Sequence, residues 1–337
     1  MVKTIFIFCI LAIFTMALSN TNYRFEKPAH FPEALYDFSK NPLKPEIIQL
    51  GKILFYDPIL SKDSSISCAS CHSPFNAFAH TDHDLSHGIR DQIGFRNAPA
   101  LFNLAWQSTF MWDGAVNHLD MQALAPISSH KEMDEDISNI CLKLSGSDKY
   151  LDLFDKAFGN NKISGESVLK ALSQFQLTLV SAESKYDSVI SNLTVFSAQE
   201  KKGYELFLEH CNSCHTEPLF SNFQFADNGL PIDTTLNDFG RMKVTQNKAD
   251  SLKFKIPSLR NLQYSYPYMH DGRFKKLSEV LNHYVKGIEN RPGLATELEN
   301  RIPLSSTDKV DLIAFLLTLN DKNFVFNKEY GFPKFDK

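Results

Sequence analysis

The stretch Cys68-Ala69-Ser70-Cys71-His72 decides the fold of this chain, and the same pattern returns as Cys211-Asn212-Ser213-Cys214-His215. Two thiols three residues apart can reach the two vinyl groups on one edge of a porphyrin, and the histidine that follows can ligate the iron. Each stretch therefore predicts one covalently attached c-type haem, with His72 and His215 as the proximal ligands. Paired C-x-x-C units also bind zinc, but these pairs lie 143 residues apart (211 minus 68) and each precedes a histidine, which fits a zinc ribbon poorly.

Length, composition and net charge limit the classes of protein to which this chain can belong. The chain has 337 residues, of which 43 % are hydrophobic, and a formal net charge of −4. These values predict a folded protein of about two domains, each with a core of its own. The small net charge gives no reason to expect binding to nucleic acid or to an anionic membrane surface.

The first residues are typical of an export signal. Lys3 precedes an apolar run over residues 5–18, and small and polar residues follow it. The run is too short for a membrane span, which needs about 20 residues. We therefore expect a signal peptide over residues 1–19, a periplasmic location and no stable membrane insertion. Cys9 would leave with the signal, and Cys141, which then has no other cysteine to pair with, is expected to be a small buried residue.

The two halves of the chain also match outside the cysteine motifs. Asn97-Ala98-Pro99-Ala100-Leu101-Phe102-Asn103-Leu104 aligns with Lys255-Ile256-Pro257-Ser258-Leu259-Arg260-Asn261-Leu262 at an offset of 158 residues (255 minus 97). At the same offset, Phe110-Met111-Trp112-Asp113-Gly114 aligns with Tyr268-Met269-His270-Asp271-Gly272. A repeat of this kind predicts that one unit was duplicated within the chain.

Helical periodicity dominates the pattern of apolar residues. It is clear over residues 166–181 and again over 306–319, whereas strand-like alternation is scarce. The polar stretch 221–249 is predicted to be a long loop. The sequence thus predicts an all-α protein with two cytochrome c-like domains, residues 20–188 and 189–337, each carrying one haem and related by internal duplication.

Taken together, these motifs resemble those of the bacterial di-haem cytochrome c peroxidase and MauG family. The resemblance covers essentially the whole chain after the signal. It rests on the two C-x-x-C-H motifs, Leu50 to Asp57, Arg96 to Pro99, Trp112-Asp113-Gly114 and Pro257 to Asn261. It implies that the first haem handles hydrogen peroxide, that the second stores and relays electrons, and that Trp112 couples the two.

The resemblance also implies roles for residues that the pattern alone would leave on the surface. Glu132 is implied as the acid/base that moves a proton between the peroxide oxygens, and Gln122 as a residue that shapes the distal pocket. A calcium ion between the domains is implied as well. Its protein ligands would be Asn97 and the carbonyl groups of Lys255 and Pro257.

One departure from the family concerns the first iron. Many members have a histidine directly after the glycine matched by Gly88, and this histidine caps the resting iron. The corresponding residue here is Ile89, so we expect the first iron to be open without reductive activation. His80, His83 and His87 lie nearby and are expected to be loop histidines on the surface, although a shift of two residues would let His87 act as the cap.

A second departure concerns the distal ligand of the second haem, which is methionine in many peroxidases of the family. The residues alone leave five candidates open: Met242, Met269, His270, His283 and Tyr284. The resemblance to the MauG branch selects Tyr284, which lies 158 residues after Pro126. A tyrosinate ligand is a hard anion, so it would favour ferric iron and lower the potential of that haem.

Three functions follow from the resemblance and its departures. The first is a periplasmic peroxidase that reduces hydrogen peroxide to water with electrons from a small cytochrome c or cupredoxin. The second, indicated by Tyr284 and Ile89, is a MauG-like oxidase that modifies residues of a partner protein. The third is a non-enzymatic electron carrier, which Gln122 and Glu132 disfavour. A homodimer is allowed by the sequence but not required by it.

Overall fold

The computed structural model describes residues 23–333, so the predicted signal peptide over 1–19 lies outside the described residues. Within them the chain is mainly helical, as predicted. The helices of the first half are α1 Pro45–Tyr56, α2 Cys68–Cys71, α3 Leu119–Gln122, α4 Leu124–Ser128, α5 Ile137–Ser145, α6 Asp148–Phe158 and α7 Gly165–Leu177. Those that follow are α8 Lys185–Ile190, α9 Ala198–His210, α10 Met242–Thr245, α11 Leu277–Asn282, α12 Ser306–Leu317 and α13 Lys322–Val325.

The stretch predicted as a long loop is mostly irregular but takes part in a small sheet. Strand β1, Phe225–Ala226, pairs antiparallel with β2, Phe254–Lys255. Each strand has only two residues, too few for an alternating pattern to be visible in the sequence. None of the described helices is long and apolar enough to cross a membrane.

Each half is built on one close helix pair. In the first half α1 crosses α7 at Gly51, where an added Cβ would overlap the backbone carbonyl of Ala171. In the second half α9 crosses α12 at Gly203, where a Cβ would overlap the carbonyl of Asp311. Glycine is needed at both positions because it alone lets the two backbones approach so closely. The attachment motifs follow α1 and α9, so each crossing positions one motif.

Helix starts follow the local sequence signals. Pro45 occupies the first turn of α1. A backbone N–H at this position has no acceptor within the helix, so proline, which lacks the N–H, loses no hydrogen bond there. Ser197 and Glu200 form a reciprocal capping box at the start of α9, which satisfies two backbone donors that would otherwise lack acceptors.

Two backbone hydrogen bonds join the halves in matching positions. Asn97 donates from its backbone N to the carbonyl of His270, and Lys255 donates in the same way to the carbonyl of Trp112, each at 2.7 Å. Both the donors and the acceptors are related by the offset of 158 residues. The aligned motifs therefore meet each other across the contact between the halves.

A few residues of each half pack in the core of the other half. Tyr186, which precedes the predicted boundary at 188, packs in the core of the second half. Phe324 and Val325 of α13 pack in the core of the first half. The fully buried Arg260 pairs with Asp187 through two hydrogen bonds of 2.7 and 2.8 Å. The C-terminal segment and the segment around α8 thus tie the halves together.

Candidate active site

A cavity of about 390 Å³ lies in the first half of the chain. Its lining includes Cys68, Cys71 and His72 of the first attachment motif. It also includes Gln122 and Glu132, which come from α3 and from the loop between α4 and α5. The fold therefore gathers around one space two groups of residues that lie about 50 residues apart in the sequence.

The attachment motif presents its side chains from a single helical turn. Ser67 and Ser70 close the start of α2 by reciprocal hydrogen bonds, and the helix ends directly before His72. His72 donates from Nδ1 to the carbonyl oxygen of Phe78 at 2.8 Å, which leaves the lone pair on Nε2 for a metal ion. Burial lowers the pKa of His72 to about 4, so the imidazole is neutral at pH 7 and ready to ligate.

Glu132 is positioned by an unusually close approach of two loops. The backbone N of Ile89 donates to the Glu132 carbonyl at 2.8 Å. At Gly88 an added Cβ would overlap the carbonyl oxygen of Lys131, so only glycine fits. Burial raises the pKa of Glu132, although a hydrogen bond with Ser129 opposes this shift. A carboxyl group with a raised pKa is suited to taking up and releasing a proton near neutral pH.

Met111 is a cavity residue that the sequence analysis did not single out. Gln122 donates from Nε2 to the Met111 sulfur at 3.6 Å, so Met111 orients the amide within the cavity. Its backbone is left-handed, with φ of 69°, and the aligned Met269 has φ of 74°. The repetition of methionine at this place in both aligned motifs was the signal that could have identified it.

Trp112 lies in the cavity lining and also at the contact between the halves. Its Nε1 donates to the carbonyl of Asn97 at 2.9 Å, and its own carbonyl accepts from the backbone N of Lys255. The indole of Trp112 is thus bonded to the first half, and the backbone of the same residue is bonded to the second. The coupling role that the resemblance implies for Trp112 stays a prediction.

The loop histidines form a stack beside the attachment motif. The ring centroids of His80 and His83 are 5.4 Å apart, and those of His83 and His87 are 4.0 Å apart. His83 is exposed, whereas His80 and His87 are partly buried, so the expectation of surface histidines holds for His83 and only in part for the others. None of the three belongs to the described lining of the cavity, and Cys71 donates from Sγ to the His87 carbonyl at 3.4 Å.

The second attachment motif repeats the proximal arrangement. His215 donates from Nδ1 to the carbonyls of Phe220 and Pro257, at 3.3 and 3.1 Å. Burial lowers the pKa of His215 to about 4. As in the first half, Nε2 of a neutral imidazole is left for a metal ion.

Tyr284 lies close to the second motif. It belongs to the π-helical turn His283–Gly287 that follows α11, and such turns are frequent at functional sites. Burial, together with the neighbouring Cys211 and Cys214, raises the pKa of Tyr284 to about 12, although a hydrogen bond with Asn228 opposes this shift. The hydroxyl would therefore ionise at neutral pH only beside a cation such as iron.

Other candidates for the distal ligand already have partners. His283 donates from Nε2 to the Asn228 carbonyl at 3.0 Å, and the Met269 sulfur accepts from Nδ2 of Asn228 at 3.5 Å. The ring of His270 stacks on Phe254 with 3.6 Å between centroids. Each of these contacts would have to break before the side chain could bind iron.

The residues present fit two haems better than one zinc ion. In each half the two thiols and a neutral, oriented histidine come from one short segment, as covalent attachment and proximal ligation require. In residues 23–333 no group of three or more His, Cys, Asp or Glu side chains is arranged to hold a metal ion. The thiols of the two motifs are therefore not gathered into one zinc site.

The oxygens named for calcium come only from amide and carbonyl groups. Asn97 donates from Nδ2 to the Asp84 carbonyl at 3.1 Å, so its Oδ1 is the atom suited to a cation. The Pro257 carbonyl accepts from His215, and the Lys255 side chain donates from Nζ to Oε1 of Gln107 at 2.7 Å. Such oxygens fit calcium, but this ion takes six to eight of them, so water would complete the set.

Comparisons with known proteins agree with this geometry. A profile of the family described as di-haem cytochrome c peroxidase matches residues 45–194. The methylamine utilization protein MauG of Methylorubrum extorquens is 38 % identical over 308 residues, which cover 88 % of this chain and 83 % of the relative. The cytochrome c551 peroxidase of Nitrosomonas europaea is 34 % identical, with 82 % of this chain and 81 % of the relative covered.

A solved structure extends the likeness to the fold. The crystal structure of a MauG-like protein associated with microbial copper homeostasis has a TM-score of 0.82 and is 28 % identical. The match covers 92 % of this chain and 99 % of that chain. Hence the similarity is not confined to the attachment motifs and includes both halves.

Proposed function

Because this chain belongs to the family of di-haem cytochrome c peroxidases and MauG proteins, we propose that it reduces hydrogen peroxide to water with electrons from a small redox protein. The observation that carries this proposal is the shared cavity of His72, Gln122 and Glu132. Peroxide cleavage needs a proximal ligand and an acid/base around one space, whereas an electron carrier needs room only for the haem and its axial ligands and has no use for the acid/base. The donor would be a cytochrome c or a cupredoxin, and the reaction would take place in the periplasm.

The haem held by Cys68, Cys71 and His72 would supply the iron at which peroxide is reduced. The Glu132 carboxylate would take the proton from one peroxide oxygen and give it to the other, so that the second oxygen leaves as water when the O–O bond breaks. The first oxygen would leave as a second water once the donor has supplied two electrons and the solvent two protons. Gln122 orients the peroxide by hydrogen bonding, because its amide is itself held by Met111. The Phe78 carbonyl keeps the His72 ring in its tautomer throughout.

The second half would supply electrons. Cys211, Cys214 and His215 would hold its haem. We propose Tyr284 as the distal ligand because it packs with Cys211 against the core of the second half and because both cysteines of the motif help to raise its pKa. Trp112 would carry electrons between the halves, since its indole is bonded to Asn97 of the first half and its carbonyl to Lys255 of the second.

Two structural proposals accompany the function. Internal duplication is supported by the matching backbone bonds from Asn97 and Lys255 and by the matching helix crossings at Gly51 and Gly203. A calcium ion at Asn97, Lys255 and Pro257 is supported by the chemistry of their oxygens. Metal analysis of the purified protein should find about one calcium per chain, and its absence from fully active protein would remove this ion from the proposal.

The function is tested with the purified protein after both haems have been attached in a periplasmic expression host. We expect hydrogen peroxide to change the Soret band and a reduced small cytochrome c to be oxidised at a rate that depends on peroxide. Glu132→Gln should keep both haems but lose most of this rate. Peroxide that neither alters the spectrum nor oxidises the donor would contradict the proposal.

A MauG-like oxidase is the second candidate, favoured by Tyr284 beside the second motif and by the 38 % identical MauG relative. It would use peroxide to oxidise tryptophan or another residue of a partner protein. Slow oxidation of the cytochrome, together with a mass increase in a partner protein that depends on peroxide, would favour this candidate. Rapid oxidation of the cytochrome without such a mass change would favour the peroxidase.

A further inference from the structure

Two residues that the proposed mechanism does not use lie where the cavity opens. Phe95 and Lys131 both belong to the cavity lining. Phe95 is nevertheless 49 % exposed, and Lys131 is only partly buried. A side chain that lines a cavity and also meets solvent lies at the mouth, so these two form part of the entrance.

The two side chains contact each other at this entrance. The Lys131 ammonium lies 3.8 Å from the centroid of the Phe95 ring, which is cation–π geometry. Its Nζ also donates to the carbonyl of Ile93 at 3.2 Å. Lys131 thus reaches from the loop that carries Glu132 to the segment 93–95 and holds Phe95 in place.

The same two loops are joined again at Gly88, where the backbone of Lys131 and Glu132 packs directly on the glycine. The contact of Lys131 with Phe95 and Ile93 is the second connection, and it consists of side-chain contacts that a mutation can remove. Because the contact at Gly88 does not involve the Lys131 side chain, we expect Glu132 to keep its position when the side-chain contacts are removed.

The chemistry of this entrance distinguishes substrates by size. A phenyl ring held at the cavity mouth by a cation–π contact takes up part of the opening, so it should hinder a bulky organic group more than a molecule of two heavy atoms. The positive charge of the Lys131 ammonium does not attract neutral peroxide. The aliphatic part of the Lys131 side chain and its contact with the Phe95 ring further narrow the entrance. Within the cavity, Gln122 and Glu132 are the polar partners that the proposed mechanism assigns to the peroxide.

We propose that the Phe95–Lys131 pair is a size filter that restricts the first haem site to hydrogen peroxide and excludes hydroperoxides with bulky organic substituents. The inference rests on the proposed function, because it specifies the substrate class of the same site. Phe95 and Lys131 are specificity residues and take no part in proton transfer.

The test measures access separately from turnover. In the protein with both haems attached, stopped-flow absorbance gives the rates at which imidazole and the smaller cyanide ion bind to the first ferric haem. Phe95→Ala should accelerate imidazole binding roughly 10-fold, the scale on which one apolar group discriminates between ligands, and should leave cyanide binding nearly unchanged. Lys131→Met should have a smaller effect in the same direction, because the ring loses its partner but remains.

Turnover of two hydroperoxides provides the second measurement. Phe95→Ala should raise kcat/KM for cumene hydroperoxide by about the same factor as imidazole binding, with hydrogen peroxide nearly unaffected. Phe75→Ala is the matched control, since Phe75 is a 63 % exposed phenylalanine of the same half that is absent from the described cavity lining.

The outcomes separate the two proposals. Unchanged imidazole binding in Phe95→Ala, or equal acceleration of imidazole and cyanide, would overturn the size filter while leaving the peroxidase proposal intact. Selective acceleration of imidazole with no turnover of either hydroperoxide would support a filter over the cavity but overturn the peroxidase function.

Discussion

Glu132→Gln is the substitution that examines the proposed chemistry most directly. Glutamine keeps the size of the side chain and its place in the cavity but does not accept and release a proton. General acid–base catalysis by a positioned side chain contributes roughly 10²- to 10⁴-fold. Glu132 lines the cavity and its pKa is raised. We take the middle of this range and expect a loss of about 10³-fold, or about 4 kcal/mol of transition-state stabilisation.

The pH dependence gives the same prediction a second readout. Glu132 must be ionised to take a proton from peroxide, so the wild-type rate should fall as pH decreases through its pKa. Because burial raises that pKa above the ordinary value of 4.5, this fall should begin at a higher pH than for an exposed glutamate. In Glu132→Gln the remaining rate should lack this acid limb.

The assay is peroxide-dependent oxidation of a reduced cytochrome, measured from pH 4 to 8 at equal haem content. Asp134→Asn is the matched control, because it also changes a carboxyl group to an amide in the same loop. Asp134 does not belong to the described cavity lining, and asparagine tolerates its left-handed φ of 47°. A Glu132→Gln variant with the wild-type rate and the wild-type acid limb would refute the role of Glu132.

Three further substitutions examine the fold and the second haem site. Arg260→Met leaves the buried carboxylate of Asp187 without its guanidinium partner and with the His30 imidazole as the basic group beside it, so the free energy of unfolding in urea should fall by about 3–5 kcal/mol. Gly203→Ala forces α9 away from the carbonyl of Asp311 and should lower Tm through a loss of about 1–3 kcal/mol. Tyr284→Phe removes the proposed distal oxygen, so the spectrum of the second haem should change and its reduction potential should rise.

Each of these has a control within the chain. Adding Asp187→Leu to Arg260→Met should restore part of the lost stability, since no charge is then left buried. Gly146→Ala should have little effect, because the nearest atom to its Cβ would be 3.5 Å away. Tyr268→Phe removes a hydroxyl bonded to the Leu262 carbonyl and should leave the second haem unaltered. A spectrum and potential unchanged in Tyr284→Phe would exclude the tyrosine as a ligand.

Local signals in the sequence predicted much of this fold. The proline at Pro45, the capping box at Ser197 and the apolar periodicity of α7 and α12 each depend on neighbours within a few residues. The offset of 158 residues predicted which motifs correspond, and the backbone bonds of Asn97 and Lys255 lie at those positions.

Contacts between distant segments were not predictable in the same way. Nothing near Gly88 in the sequence shows that Lys131 packs on it, and nothing near α13 shows that Phe324 packs in the first core. Such contacts depend on how whole segments are arranged, which periodicity does not encode. Glu132 and Gln122 could be named only through the resemblance, because an isolated glutamate or glutamine carries no spacing signal.

The two matching backbone hydrogen bonds between the halves do not depend on which side chains are present. Both use main-chain atoms alone, from Asn97 to His270 and from Lys255 to Trp112. The side chains differ within both aligned pairs, Asn97 with Lys255 and Trp112 with His270, yet the two backbone hydrogen bonds are the same. Main-chain bonding therefore allows an indole on one side and an imidazole on the other without loss of these two hydrogen bonds, so matching backbones could surround two haems with different side chains.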